Sequence, residues 1–185
     1  LFRCWGGSWY KLCMARIVSF KTACQLSKKF RKGGKKVIFT SGCFDILHIG
    51  HIEFFSKVRR WGGLNSIFFV GVDTDGYLKH YKGVDRPIFN QMVRARVLAS
   101  LAQADYIVLL QDEKIENPET FLHRFKQLRP EYVVFGNSGK WILNRVRTQA
   151  LAAGCKFKLL ASRVKPGSSS RIAKILDQHF PSWHS

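Results

Sequence analysis

A chain of 185 residues with 31 Lys and Arg against 12 Asp and Glu, a formal charge of +19, is long enough for one compact domain with a full core and presents a surface that attracts anions. No apolar run approaches the roughly 20 residues of a membrane helix, the longest candidate being Ile67 to Val72, and Leu1 to Tyr10 lacks the clean apolar stretch of a signal peptide. Cys4, Cys13, Cys24, Cys43 and Cys155 are odd in number and scattered without a Cys-x-x-Cys pair, which argues against a disulfide framework and for reduced thiols in a cytoplasmic protein.

The first methionine is Met14, so the opening segment is expected to stem from an alternative start or an over-extended reading frame. Residues 1–34 read as a basic N-terminal segment carrying a helix over 20–32. No acid precedes Asp45, whereas Lys28, Lys29, Arg31, Lys32, Lys35 and Lys36 crowd the stretch before the first strand. Weak, salt-dependent association of this segment with nucleic acid or an anionic membrane surface is one expectation, and a merely solvated basic face is the other.

The stretch Lys36-Val-Ile-Phe-Thr-Ser-Gly-Cys-Phe-Asp-Ile-Leu-His-Ile-Gly-His51 reads as a strand over 36–41, a turn permitted by Gly42 and a helix over 50–61. His48 and His51 fall at or near the first helical turn and share one face. Gly50 between them lets phosphate oxygens approach a backbone whose unpaired N–H groups already attract anions. Two histidines at this spacing also fit metal ligands or plain capping residues; no Cys or acid at a matching spacing supports zinc, and no protein-held metal is expected. Cys43, inside this stretch, has no activating base beside it.

Next come a strand over 66–72, a loop through Pro87, a helix over 90–101, a strand over 105–110, a helix over 117–128 and a strand over 131–135. A helix near 140–152, a strand over 156–160 and a final helix over 170–178 complete the chain. Such alternation predicts an α/β fold, a doubly wound parallel sheet with helices on both faces, with ligands beyond the carboxyl ends of the strands at the topological switch point. Val133-Val-Phe-Gly-Asn-Ser-Gly-Lys140 imitates a phosphate-binding loop, but the Gly-x-x-x-x-Gly-Lys-Ser/Thr spacing fails and Trp141 stands where the hydroxyl belongs. Ser168, Ser169 and Ser170 before the last helix read as an N-cap.

Gly42-Cys-Phe-Asp-Ile-Leu-His-Ile-Gly-His51 resembles the Gly-x-Phe-Asp-x-x-His-x-Gly-His signature of the cytidylyltransferase-like nucleotidyltransferases, a Rossmann-like family. Similar stretches follow in order: Gly71-Val-Asp-Thr-Asp75, Lys82-Gly-Val-Asp-Arg-Pro87, Arg94 and Leu98 ahead of Ala104-Asp-Tyr-Ile-Val108, and Arg163-Val-Lys-Pro-Gly-Ser-Ser-Ser170. The resemblance spans about residues 35–178 and implies a nucleotidyltransferase domain over 35–180. It implies attack by a substrate phosphate oxygen on the α-phosphorus of a nucleoside triphosphate, with release of pyrophosphate and with Mg2+ on the β and γ oxygens. By the same resemblance His48, His51 and Lys82 are the catalytic residues. The nucleotide-binding set is then Cys43, Phe44, Gly50 and those three, together with Arg163, Ser168, Ser169 and Ser170. Asp45, Lys79, Arg86, Arg94, Gly136 and Asn137 are further candidates, Asp45 as a brace of the loop. Its partners are then a nucleoside triphosphate and a phosphorylated small molecule, with a homodimer as a candidate assembly.

Two subfamilies compete. Lys82-Gly-Val-Asp-Arg-Pro87 is similar to the sugar-phosphate adenylyltransferase domain that makes ADP-heptose, whereas the distance from Arg163 to Ser170 is closer to glycerol-3-phosphate cytidylyltransferase. Phe135-Gly-Asn-Ser138 departs from both, because an acidic residue expected there is missing, and Met92 replaces a glutamate of the family. Adenylyl transfer to a sugar phosphate is the favoured expectation, with cytidylyl transfer to an alcohol phosphate and non-catalytic binding of nucleotide or nucleic acid as alternatives.

Overall fold

The computed structural model describes residues 14–111 and 119–161. Strands β1 (Arg16–Ser19), β2 (Lys36–Gly42), β3 (Ser66–Val72), β4 (Tyr106–Leu109), β5 (Tyr132–Phe135) and β6 (Lys156–Leu159) alternate with helices α1 (Phe20–Lys32), α2 (Ile49–Gly62), α3 (Asp75–Lys82), α4 (Gln91–Ala99), α5 (Thr120–Leu128) and α6 (Lys140–Ala152). The strands form one sheet in the order β1-β4-β3-β2-β5-β6, and every pair is parallel. The order reverses at β2, whose neighbours β3 and β5 lie on opposite sides of it, so the switch point falls between β2 and β5.

Alternation along each strand divides the core into two layers. Val37, Phe39, Phe69, Val108 and Val133 face α1, α5 and α6, meeting Ala23, Phe125, Leu128, Val146 and Ala150. Ile38, Phe68, Val70, Ile107 and Val134 face α2 and α4, meeting Phe55, Val58, Ala95 and Leu98. The doubly wound parallel sheet expected from the sequence is therefore present. Phe39, Phe68 and Phe69 are wholly buried, each contributing about 2 to 3 kcal/mol of apolar transfer.

Two elements differ from the sequence expectation. Residues 16–32, set apart as a basic segment, contribute β1, which pairs with β4, and α1, which covers one face, so the sheet crosses the expected boundary at residue 34. The expected loop through Pro87 contains α3, whose N-cap Thr74 accepts the Tyr77 N–H at 3.1 Å. The final helix expected over 170–178 and the first residues of the helix expected from 117 lie outside the described residues.

Candidate functional site

A cavity of about 590 Å3 opens at the carboxyl ends of the central strands, lined by Thr40 to Phe44 at the end of β2 and just beyond it, Asp73 after β3 and Phe135 to Gly139 from the last residue of β5 onward. It occupies the crevice that a switch point creates. A Cβ at Gly42 would come within 3.1 Å of the Phe44 ring, so a larger residue here requires that ring to shift. That ring lies over the strand end, with Phe44 itself held at φ 49°, a left-handed conformation costly for an aromatic residue. The return on the strain is contact: Phe44 meets His51 edge-on at 5.4 Å between centroids and packs against Phe55.

His48 is the N-cap of α2 and His51 closes its first turn. Their rings stack at 3.9 Å between centroids with 24° between planes. The backbone N–H of His48 donates to His51 Nδ1 at 3.4 Å, which leaves the ring proton of a neutral His51 on Nε2. Burial, then the charges of His48 and Lys82, push the His51 imidazole down to about 4, and burial lowers His48 as well. At neutral pH this pair is two uncharged N–H donors at a positive helix terminus, suited to phosphate oxygens without acting as a proton source.

Lys82 ends α3 and lines the cavity, and its ammonium acts on both His51 and Asp73. Asp73 lies at the end of β3, its side chain 11% exposed. Its Oδ1 stands 3.6 Å from Arg124 Nη1, too far for a hydrogen bond, and both atoms are buried without a hydrogen-bond partner among the described residues. Desolvation raises the Asp73 carboxyl despite the opposing pull of Arg124, Arg94 and Lys82. Tyr77 and Tyr81 of α3 and Trp141 of α6 add an aromatic wall, with Tyr81 and Trp141 6.5 Å apart.

Behind the cavity a polar frame fixes the loops. Arg94, wholly buried on α4, donates to Phe89 O at 2.8 Å, Cys43 O at 2.5 Å, Asp73 O at 2.7 Å and Asp75 Oδ1 at 2.5 Å. Asp45 accepts the N–H groups of Ile88 and Phe89 at 3.0 and 2.9 Å and pairs with Arg86 at 2.6 Å. Asp45 and Arg94 are committed to protein partners, and Arg86 is held by its ion pair with Asp45 alone, its Nε having no hydrogen-bond partner among the described residues. Asp45 is thus a loop brace, and Arg86 and Arg94 hold the frame rather than line the cavity.

Cys43, Phe44, His48, Gly50, His51, Lys82, Gly136 and Asn137 all line one cavity, as their candidacy requires. Lys79 is exposed and outside it. Arg163, Ser168, Ser169 and Ser170 lie outside the described residues. Asp73, Tyr77, Tyr81 and Trp141, none of them a candidate from the sequence, also line the cavity, and Arg124 stands beside Asp73. Tyr77, Leu78 and Tyr81 at helical spacing behind Thr74-Asp75 were a legible signal for α3. Nothing in the sequence pairs Asp73 with Arg124.

The family model described as cytidylyltransferase-like matches residues 39–172, and the chain belongs to that family. It is 38% identical over 124 residues to the bifunctional protein HldE of a Nitratiruptor species, covering 67% of this chain and 25% of that one. It is 36% identical over 148 residues to the protein of the same name from Citrifermentans bemidjiense, covering 79% of this chain and 28% of the other. The chain thus spans about a quarter of the length of these curated relatives. Among solved structures, pantoate-beta-alanine ligase from Francisella tularensis, determined with beta-gamma ATP and beta-alanine, superposes with a TM-score of 0.62 at 14% identity over 86% of this chain and 73% of that one. That likeness shows a shared Rossmann-like α/β fold.

Proposed function

We propose that the domain transfers a nucleoside monophosphate, AMP in preference to CMP, from a nucleoside triphosphate to the phosphate of a sugar or polyol, releasing pyrophosphate. The observation that carries this reading is the neutral His48 and His51 pair at the N-terminus of α2, opening with Lys82 onto the switch-point cavity. An acceptor phosphate oxygen is ionised at neutral pH, so no general base is needed. The oxygen attacks the α-phosphorus, a new P–O bond forms as the bond to the β-phosphate breaks, and pyrophosphate leaves with the electron pair. The two imidazole N–H groups and the helix terminus stabilise charge that builds on the phosphates, and Lys82 neutralises part of the triphosphate.

The nucleotide enters as its magnesium complex. The magnesium ion is then carried mainly by phosphate oxygens and water. Lys82-Gly-Val-Asp-Arg-Pro87 and the identity with the HldE proteins favour ATP and a sugar phosphate.

Pyrophosphate release measured with ATP and CTP, each against sugar 1-phosphates, glycerol 3-phosphate and phosphocholine, tests the reading. Release with ATP and a sugar phosphate is expected; no release with any pair, together with tight RNA binding, contradicts it. The non-catalytic alternative draws on the missing acid at Asn137 and on the exposed lysines of α1, Lys21, Lys28, Lys29 and Lys32. Those lysines make a polyanion-binding face in either case, and passage through a heparin column unretained at low salt would refute that face.

A further inference from the structure

The loop after β5 lacks the acid that the family pattern places there, yet the cavity is not without a carboxylate. Asp73 supplies one from the end of β3, the neighbouring strand on the other side of β2. Among the described residues its Oδ1 has no hydrogen-bond partner; it faces Arg124 Nη1 at 3.6 Å, an ion pair too long for a hydrogen bond, while Arg124 Nη2 donates to Gln111 O at 3.4 Å. A buried carboxylate and guanidinium left short of hydrogen bonds are costly in an otherwise well-packed domain. The cost is offset when a ligand hydroxyl donates to the carboxylate, because a carboxylate is acceptor-only.

The surroundings define what carries that hydroxyl. Tyr77 and Tyr81 stand on α3, which begins two residues after Asp73, and Trp141 continues the wall from α6. Tyr81 and Trp141 remain 42% and 61% exposed at the cavity, so their rings are open to contact with a ligand. Arg145 lies 5.4 Å from the Trp141 ring centre, over its face, which helps fix the ring. An acceptor-only carboxylate beside flat apolar rings suits a polyhydroxylated ring, whose hydroxyl edge donates and whose C–H face stacks. Phosphate chemistry is provided for elsewhere, by His48, His51 and Lys82.

Position separates the two sugars of the reaction. The crevice between β2 and β5 is where a nucleotide lies in a doubly wound sheet, and Asp73 is on the β3 side of that crevice. We propose that Asp73, backed by Arg124, and the wall of Tyr77, Tyr81 and Trp141 form the acceptor subsite, which takes the sugar of a sugar phosphate and takes over the part of the acid missing beside Asn137. This inference rests on the proposed nucleotidyl transfer for its phosphate assignments, but it makes a binding claim that stands or falls without turnover.

Calorimetric titration of the full chain and of the Asp73→Asn and Tyr81→Leu variants, with magnesium ATP, a panel of hexose and heptose 1-phosphates, and inorganic phosphate as control, tests it. The best sugar phosphate is expected to bind the parent at least tenfold tighter than inorganic phosphate, and each variant to lose about tenfold of that affinity. ATP affinity is expected to stay within about twofold of the parent in both variants, since neither side chain is assigned to the nucleotide. Tyr81 is partly exposed, so its variant keeps the test alive if Asp73→Asn unfolds. The proposal is overturned if folded Tyr81→Leu binds the sugar phosphate like the parent, if ATP affinity falls in parallel, or if no sugar phosphate exceeds inorganic phosphate. Sugar phosphate bound with no pyrophosphate release would instead count against nucleotidyl transfer and leave the subsite standing.

Discussion

His51 owes its chemistry to its surroundings more than to its identity. The ring is packed against Phe44 and His48 and faces the charge of Lys82, so it stays neutral well below the pH at which a solvated histidine protonates. Replacing His48 or His51 by Ala should cost roughly 3 to 4 kcal/mol of transition-state stabilisation, about 10² to 10³ in kcat, read from steady-state pyrophosphate release. Parental turnover in folded His51→Ala would contradict the assignment. The same burial gives a stability signature. With a folded pKa of about 4 against an ordinary 6.5, the unfolded chain takes up the proton first as pH falls, so stability present above pH 6.5 is lost on the way down to 4. The loss should reach up to roughly 3 kcal/mol relative to His51→Gln, measured as the difference between their urea midpoints at pH 7 and pH 4. Both histidines were legible in the sequence because Gly42, Phe44 and Gly50 surround them at fixed spacing. Asp73 was not, since its meaning comes from Arg124, 51 positions away, and from burial that no local pattern reveals.

At the scale of elements, the long β-branched and aromatic runs of β2 and β3 and the apolar periodicity of α1, α2 and α6 made these segments readable within a residue or so. β1 was missed because four residues, of which only Ile17 and Val18 favour a strand, carry too little pattern; its existence depends on pairing with β4. What the sequence could not show is how the ends of β2 and β3 are tied to α4. Arg94 does this, joining α4 to the carbonyls of Cys43 and Asp73 and to the carboxylate of Asp75. Arg94→Met should therefore cost about 3 kcal/mol or more, because it leaves buried acceptors unpaired, and urea unfolding reads it directly. A loss below about 1 kcal/mol would mean that the frame holds without it. The family resemblance flagged Arg94 as a candidate site residue; in the structure its side chain donates to four protein acceptors and does not line the cavity.

For the whole molecule, the six-stranded parallel sheet brings the ends of β2, β3 and β5 to one edge, so residues as distant as Thr40 and Trp141 line one cavity. A net charge of +19 attracts anions over long range. The proposed transfer puts the chemistry at the α-phosphorus, held against the His48 and His51 pair while pyrophosphate leaves. ATP radiolabelled at the α-phosphorus, incubated in parallel with ATP labelled at the γ-phosphorus, magnesium and a sugar phosphate, tests this by following where each label goes. Nucleotidyl transfer should carry α label into the sugar nucleotide and γ label into pyrophosphate; γ label in the sugar product or in orthophosphate, with the α label left in ADP, would overturn it.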